Sequence, residues 1–122
     1  MNSLEKAKKI ADFLDNKKGK DITILDISHV TNIGDYFVIA SGSSTPQINA
    51  LVDEVEDKMR EAGEKVGHIE GYNTATWVLM DYGDVLAHIF HEETRDFYGI
   101  ERLWTDAGKI DFQETSKQEG EK

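Results

Sequence analysis

The sequence predicts an α/β domain with a mixed, five-stranded sheet and flanking helices, in the order α-β-β-α-β-β-β-α. Three observations lead to this prediction. Apolar residues recur at helical spacing in three segments, and short runs rich in Val, Ile, Leu and aromatic residues separate them. The third observation is the run TWVLMDYGDVLAHIF at residues 76–90, in which two apolar segments flank a glycine-containing turn, as in a β-hairpin.

The chain is predicted to begin with a helix and two strands. Residues 2–16 are predicted to be helical because their apolar residues share one face and Asn2 or Ser3 can cap the first turn. Residues 21–27 form an apolar run that is too short for a helix, so a strand is predicted. Residues 36–41 are nearly all apolar or aromatic, which is typical of a strand buried on both faces.

The second helix has the clearest start signal in the sequence. Thr45 suits the N-cap and Pro46 the first helical position, while Gly63 suits the end of the helix. Residues 66–71 are predicted to form a short strand that precedes the hairpin.

A two-residue loop at Tyr82-Gly83 sets the predicted register of the hairpin and places Asp81 opposite Asp84. One face then carries five core residues: Val78, Met80, Val85, Ala87 and Ile89. The other face carries Trp77, Leu79, Asp81, Asp84, Leu86 and His88. Two facing carboxylates would destabilise the hairpin, which suggests a functional site. The alternative is that the two aspartates simply suit the ends of a turn.

The end of the chain is predicted to be a helix followed by a tail. Residues 92–104 have acids in the first turn and an apolar face: Phe97, Ile100, Leu103 and Trp104. Residues 108–122 lack apolar periodicity and are predicted to be a mobile charged tail, so that residues 1–107 form a single domain.

Three helices are too few to cover both faces of five strands, so the Trp77 face of the hairpin is predicted to be open. The alternative is that the last helix covers this face and that Trp77 belongs to the core.

The net charge of −10 is unevenly distributed. Residues 1–20 carry six lysines and three acids, a net +3, whereas residues 21–108 carry five basic and seventeen acidic residues, a net −12. Such a body repels phosphate backbones, so direct nucleic-acid readout is not expected. It suits a basic protein partner, although a contribution to solubility alone would also explain the acidity.

The composition excludes several classes of protein. There is no cysteine, so neither disulfides nor zinc–thiolate sites are available. No apolar run approaches the roughly 20 residues of a membrane span, and the N-terminus lacks the apolar core of a signal peptide. A soluble, cytoplasmic protein without a membrane partner is therefore expected.

Two segments suggest enzyme chemistry only weakly. Ser41-Gly42-Ser43 before a helix start resembles a phosphate-binding turn, but a P-loop lysine is missing and a capped turn explains the same residues. Asp81, Asp84 and His88 are possible metal ligands, but Asp84 and His88 would lie about 13 Å apart along a strand. No metal site is therefore predicted.

The last helix carries a mixed stripe of aromatic and charged residues: Arg95, Tyr98, Glu101 and Trp104. Arg, Tyr and Trp are enriched at protein-interface hot spots, so the stripe is a candidate contact surface. The alternative is that Tyr98 and Trp104 pack inward while Arg95 pairs with a nearby acid.

Residues 21–104 resemble the ribosomal silencing factor family, RsfS, also called Iojap or YbeB. The blocks that carry the resemblance are Asp21-Ile22 with Asp26, then YFVIASGSS, WVLMDYGDVLAHIF and EETRDFYGIERLW. Their order and spacing span most of the predicted domain, which makes the match specific.

The resemblance implies a nucleotidyltransferase-like fold and a homodimer when the protein is free. It also implies binding to the large ribosomal subunit through ribosomal protein L-fourteen, which blocks joining with the small subunit and lowers translation when nutrients are short. This mechanism is steric, so no catalytic residue and no cofactor are expected. Ser41-Gly42-Ser43 echoes the turn of nucleotidyltransferases, but no Asp-x-Asp strand follows it; a small nucleotidyl- or phosphoryl-transferring enzyme is the alternative function.

The predicted contact with the partner combines aromatic and acidic side chains. Trp77 and Tyr82 would bury apolar area, while the acids would meet Lys or Arg of the partner. The predicted partner-binding residues are Trp77, Asp81, Tyr82, Asp84, Tyr98 and Glu101.

Overall fold

The structure is a computed structural model that describes residues 1–104 and 107–110 of the chain. The helices are α1 (Ser3–Asn16), α2 (Thr45–Glu61), α3 (Glu92–Tyr98) and α4 (Ile100–Leu103). The strands are β1 (Lys20–Asp26), β2 (Tyr36–Gly42), β3 (His68–Glu70), β4 (Trp77–Asp81), β5 (Val85–His91) and β6 (Gly108–Ile110). Within the described residues they form a single six-stranded sheet in the order β3-β4-β5-β2-β1-β6.

The sheet is mixed, as predicted, because its two central strands run parallel. β2 and β5 pair from Tyr36 opposite Val85 to Gly42 opposite His91, and the other four pairings are antiparallel. The chain between these two strands contains α2, β3 and β4, so it passes over one face and returns along one edge.

The helix starts follow the capping chemistry of the sequence. The Asn2 side chain accepts a hydrogen bond from the Glu5 amide at 2.9 Å, which confirms the predicted cap of α1. The predicted cap of α2 was wrong by one residue: Ser44 has extended backbone angles and accepts from the Gln47 amide at 3.2 Å, while Thr45 is already helical. Either residue type can supply the capping oxygen, so the backbone decides which one does.

Helices α1 and α2 pack on one face of the sheet. The strand residues buried beneath them are Ile24, Val38, Ala40, Val78, Met80, Val85, Ala87 and Ile89. This set contains all five core residues that alternation predicted for the hairpin.

The opposite face is covered only in part, by α3, α4 and the chain around Ala107. Its buried residues are Leu25, Ile27, Phe37, Ile39, Leu86, Phe90 and Ile100. Trp77, Leu79 and Trp104 pack against this cluster but keep part of their surface exposed. The two predicted alternatives are therefore both partly right: the last helical segment covers one side of this face, and the β4 side stays open.

The predicted register of the hairpin was wrong by one loop residue. The loop is Gly83-Asp84, because the Tyr82 amide donates to the Val85 carbonyl at 2.9 Å and Asp81 pairs with Leu86. Gly83 has φ of 89°, a left-handed conformation that glycine adopts without steric cost, so it takes the first loop position. Asp81 and Asp84 are therefore not a cross-strand pair.

The predicted last helix is two short helices. Gly99 has φ of 53° and ends α3, and its amide donates to the Arg95 carbonyl at 2.8 Å. The change of direction at Gly99 separates the predicted apolar face: Ile100 is buried, whereas Phe97 is 79% exposed.

A short strand lies within the segment that was predicted to be a tail. Residues 108–110 form β6, which pairs antiparallel with β1 from Gly108 opposite Asp26 to Ile110 opposite Ile24. This pairing adds the sixth strand, and Ile110 packs against the core beneath α1 and α2. A strand of three residues is too short to show apolar periodicity in the sequence. The rest of the predicted tail, residues 111–122, lies outside the described residues.

Candidate protein-binding surface

The open side of the sheet presents four apolar side chains, which we call the aromatic surface: Trp77, Leu79, Phe97 and Tyr98. The first two alternate outward on β4, and the last two end α3. The rings of Trp77 and Tyr98 lie 5.1 Å apart between centroids, as do those of Phe97 and Tyr98. With Tyr98 52% exposed and Phe97 79% exposed, this is a continuous patch of a kind that marks interaction sites.

Trp77 is held in place from beneath. Its Nε1–H donates to Nδ1 of His88 at 3.1 Å, and its ring lies 4.8 Å from that of Phe90 on the neighbouring strand. A partner would therefore meet an indole whose orientation is already determined, which lowers the entropic cost of binding.

His88 is a buried imidazole that lies beneath Trp77. Burial lowers its pKa to about 4, so it is neutral at physiological pH and can accept from the Trp77 indole. Its ring lies 4.5 Å from that of Phe37, and among the described residues its Nε2 has no hydrogen-bond partner. The predicted register placed His88 directly opposite Trp77. In the structure His88 pairs with Leu79 instead, and the Trp77 indole reaches it diagonally across the two strands.

Arg95 fastens α3 and α4 to the sheet. It is 8% exposed and donates to Ser41 Oγ at 2.8 Å and to the two carboxylate oxygens of Glu101 at 2.9 and 3.1 Å. The hydrogen bond from Arg95 lowers the pKa of Glu101. Two members of the predicted stripe thus pair with each other, a third, Trp104, packs on Phe37 at 5.2 Å, and Tyr98 faces outward.

Tyr82 and Asp84 lie away from the aromatic surface. Tyr82 continues the alternation of β4 onto the α1 and α2 face, where it is 7% exposed and where burial raises the pKa of its hydroxyl. Asp84 pairs with the Lys6 ammonium of α1 at 2.7 Å, and Glu64 pairs with the same group at 3.0 Å. Burial lowers the pKa of Lys6, but the hydrogen bonds to the two carboxylates outweigh it and the net shift is upward.

Acidic side chains flank the β4 side of the aromatic surface. Asp81 ends β4 on the same face as Leu79 and accepts the Gly83 amide at 2.7 Å. Glu70, on the neighbouring β3, pairs opposite Leu79. Together with Gly71, Trp77 and Leu79, it lines a groove of about 370 Å³.

Sequence reasoning did not select Glu70 for the site. The signal was present in the alternation of the 66–71 strand, which puts Glu70 and His68 on one face, but the pairing of β3 with β4 could not be read from it.

The segments considered for enzyme chemistry have structural roles. The Ser43 amide and hydroxyl both donate to Gln47 Oε1, at 2.7 and 3.0 Å. The polar groups of this turn therefore bond to the first turn of α2. Across the described ranges, no three His, Asp or Glu side chains are grouped closely enough to hold a metal ion.

Arg95 also lines a polar cavity of about 670 Å³, but its charge is already paired with Glu101.

Of the six predicted partner-binding residues, the structure brings Trp77 and Tyr98 together and keeps Asp81 on the same face. Tyr82, Asp84 and Glu101 are engaged within the chain. None of the helices in the described part is both long and apolar enough to cross a membrane. The fold and this surface define a small α/β protein with one partly open, apolar sheet face.

Comparison with known proteins identifies the family. The family model for RsfS, described as ribosomal silencing factor during starvation, matches residues 1–122. The chain belongs to the RsfS family, as its sequence motifs indicated. Because the family is named for a regulatory action on the ribosome, the chain is a regulatory protein rather than an enzyme.

Relatives and solved structures agree with this assignment. The ribosomal silencing factor RsfS of Bacillus subtilis is 40% identical over 112 residues, which cover 92% of this chain and 95% of that protein. A crystal structure of a Chromobacterium violaceum protein has a TM-score of 0.84 at 39% identity, covering 86% of this chain and 88% of the other.

A mouse protein, mitochondrial assembly of ribosomal large subunit protein 1, is 29% identical over 99 residues. The match covers 79% of this chain and 43% of that protein.

Proposed function

We propose that this chain represses translation by binding the large ribosomal subunit through ribosomal protein L-fourteen, where it sterically blocks joining with the small subunit. The family description supports a silencing action during starvation, and hence a role under nutrient limitation. The name of the mouse relative refers to the ribosomal large subunit, which supports that subunit as the partner.

The aromatic surface is the observation that carries the proposal. Trp and Tyr are among the residues most enriched at interface hot spots, and here Trp77 and Tyr98 are in ring contact on an open face. A steric blocker needs affinity and position but no chemistry, and a prearranged aromatic patch supplies both.

Charge supports a basic partner. Residues 21–108 carry a net charge of −12, and Asp81 and Glu70 stand beside the aromatic surface. Ribosomal proteins are generally basic, so the potentials of the two surfaces would be complementary and would speed their encounter. The same charge disfavours direct readout of ribosomal RNA.

The proposed interface consists of Trp77, Asp81 and Tyr98 from the predicted set, extended by Leu79 and Phe97. Tyr82, Asp84 and Glu101 are given a supporting role instead, because their side chains are buried or paired within the chain. We further propose that the free protein is a cytoplasmic homodimer with a nucleotidyltransferase-like fold, as the resemblance to the family implies.

A subunit-joining assay tests the function directly. Purified large and small subunits are mixed at a Mg²⁺ concentration that favours joining, with and without this protein, and are separated on a sucrose gradient. We expect the joined fraction to fall as the protein approaches the concentration of large subunits. Equal joining in its presence and absence would contradict the proposal, and binding to isolated L-fourteen tests the named contact.

A matched pair of variants tests the interface. Tyr98→Ala removes a half-exposed ring of the aromatic surface and should weaken large-subunit binding by about tenfold or more. Tyr72→Ala is the control, because the Tyr72 hydroxyl bonds to Asp53 of α2, on the other side of the sheet. Equal affinities of the two variants would place the interface elsewhere.

A further inference from the structure

The groove beside Trp77 combines an apolar wall with a single carboxylate. Leu79 and the indole form the wall, and Glu70 stands opposite Leu79 on β3. Its volume of about 370 Å³ is at the small end of the roughly 300–1,000 Å³ typical of ligand sites. The groove therefore suits one long side chain better than a cofactor.

Contacts within the chain fix the walls of the groove. The indole is held by the hydrogen bond to His88 and by ring contacts with Phe90 and Tyr98. Gly71 forms the floor with φ of 83°, and a Cβ there would collide with the Trp77 carbonyl oxygen. This glycine lets the chain between β3 and β4 lie directly against Trp77.

Glu70 is oriented by a neighbouring side chain and keeps one carboxylate oxygen without a partner in the described part of the chain. Its Oε1 lies 3.0 Å from Nε2 of His68 on the same strand face, and its side chain is 63% exposed. Within residues 1–104 and 107–110, Oε2 has no hydrogen bond, so one carboxylate oxygen is available to a guest.

We propose that this groove binds one arginine side chain of the basic ribosomal-protein partner. The inference rests on the proposed function and adds its specificity-determining contact. The aliphatic stem of the arginine would lie against Leu79 and the indole, while its guanidinium would pair with Glu70. Arginine fits better than lysine because its guanidinium is planar, more weakly hydrated and able to lie against an aromatic ring.

A titration tests the groove without any ribosomal component. Nα-acetyl-arginine amide is added to the full chain at low salt, and the Gly71 amide and Trp77 indole N–H signals are followed by NMR. We expect saturable shifts with a dissociation constant on the order of millimolar, as for a single side-chain contact. Nα-acetyl-citrulline amide has nearly the same shape without the charge and should shift these signals at least about fivefold more weakly.

Glu70→Gln should abolish the difference between the arginine and citrulline probes. Equal shifts with both probes in the wild-type chain, or no shift with arginine, would overturn the inference.

A second measurement links the groove to the partner. Glu70→Gln should weaken large-subunit binding about tenfold, the range for losing one charge-assisted hydrogen bond. Glu61→Gln is the control, because it makes the same charge change at a side chain 68% exposed on α2. Equal affinity of the two variants would overturn the assignment of the arginine to this partner. Absence of any large-subunit binding by the wild type would contradict the proposed function, while the titration would still decide what the groove binds.

Discussion

The two faces of the sheet differ in how completely the helices cover them. Beneath α1 and α2 the eight core residues of the strands are completely buried, and Lys6 pairs α1 both with Asp84 of the hairpin loop and with Glu64 beyond α2. On the opposite face α3 and α4 cover only part of the sheet and leave the aromatic surface at the β4 side.

This difference separates stability from binding. Shortening a side chain in the closed face lowers the free energy of unfolding, because the surrounding residues do not fill the cavity that results. The apolar side chains of the open face leave water only when a partner covers them. They therefore stabilise a complex more than they stabilise the fold. Variants on the two faces should therefore differ in which of the two properties they change.

The largest expected difference in stability comes from the same substitution on each face. Leu51→Ala removes a completely buried side chain of α2 and should lower the free energy of unfolding by about 2–5 kcal/mol. Leu79→Ala, at a partly exposed position of the aromatic surface, should lower it by about 1 kcal/mol. Urea unfolding measures both, and equal losses would contradict the comparison.

A pH-dependent contribution of similar size should come from His88, beneath the open face. The unfolded chain binds a proton at this imidazole below about pH 6.5, whereas the folded chain binds it only near pH 4. Lowering the pH from 6.5 to 4 therefore favours the unfolded state by about 3 kcal/mol, and this stability is fully present above pH 6.5.

His88→Asn isolates this contribution, because asparagine can accept from the Trp77 indole but does not titrate. We expect the difference in unfolding free energy between the wild type and the variant to change by about 3 kcal/mol between pH 7 and pH 4. Parallel pH profiles would show that His88 does not carry a depressed pKa.

The ion pairs of the two faces give the next smaller difference. Lys6→Met leaves Asp84 and Glu64 without the buried ammonium that joins them, and should cost about 1–3 kcal/mol. Lys20→Met breaks an exposed pair with Glu92 of α3, at 2.9 Å, and should lower the free energy of unfolding by less than Lys6→Met does, because water screens the pair. Thermal unfolding at matched pH compares them, and a larger loss for Lys20→Met would reverse the ranking.

The sequence was sufficient to predict most elements and both faces of the hairpin. Alternation assigned the strand residues 77–81 and 85–90 to the correct faces, because a shift of the loop by one residue changes the cross-strand partners without changing the face on which each strand residue lies. It failed for Asp84, which is a loop residue and bonds to Lys6 of α1 instead of lying on the Trp77 face. The partners themselves could not be predicted, since the register depends on which residue takes the left-handed position, and Gly83 can occupy either place in a two-residue loop.

The site was harder to predict than the fold because it depends on contacts between distant segments. Glu101 was predicted to bind the partner, but the change of direction at Gly99 brings it to Arg95, which agrees with the alternative that Arg95 pairs with a nearby acid. Asp84 was placed opposite Asp81, but its partner is Lys6 at the other end of the chain. Neither pairing leaves a periodic signal in the sequence, whereas the exposed Trp77 and Tyr98 were recognisable from residue type and position.

The smallest effect on stability is expected at the most exposed ring of the aromatic surface. Phe97 is 79% exposed, so Phe97→Ser should change the free energy of unfolding by no more than about 0.5 kcal/mol. Its large-subunit affinity should nevertheless fall several-fold, because a partner that covers the surface buries this ring against Tyr98.

Ile33→Ser is the control for Phe97→Ser, since Ile33 is also exposed, at 56%, but lies in the loop before β2. Unfolding and large-subunit binding are measured on both variants. We expect Phe97→Ser alone to lose affinity, while both variants keep the stability of the wild type. That result would show that Phe97 contributes to binding and not to folding, because the same apolar-to-polar change at Ile33 alters neither affinity nor stability. If the two variants bind equally well, the exposed ring of Phe97 is not part of the interface. The proposal that the open face serves binding while the closed face serves stability would then be contradicted.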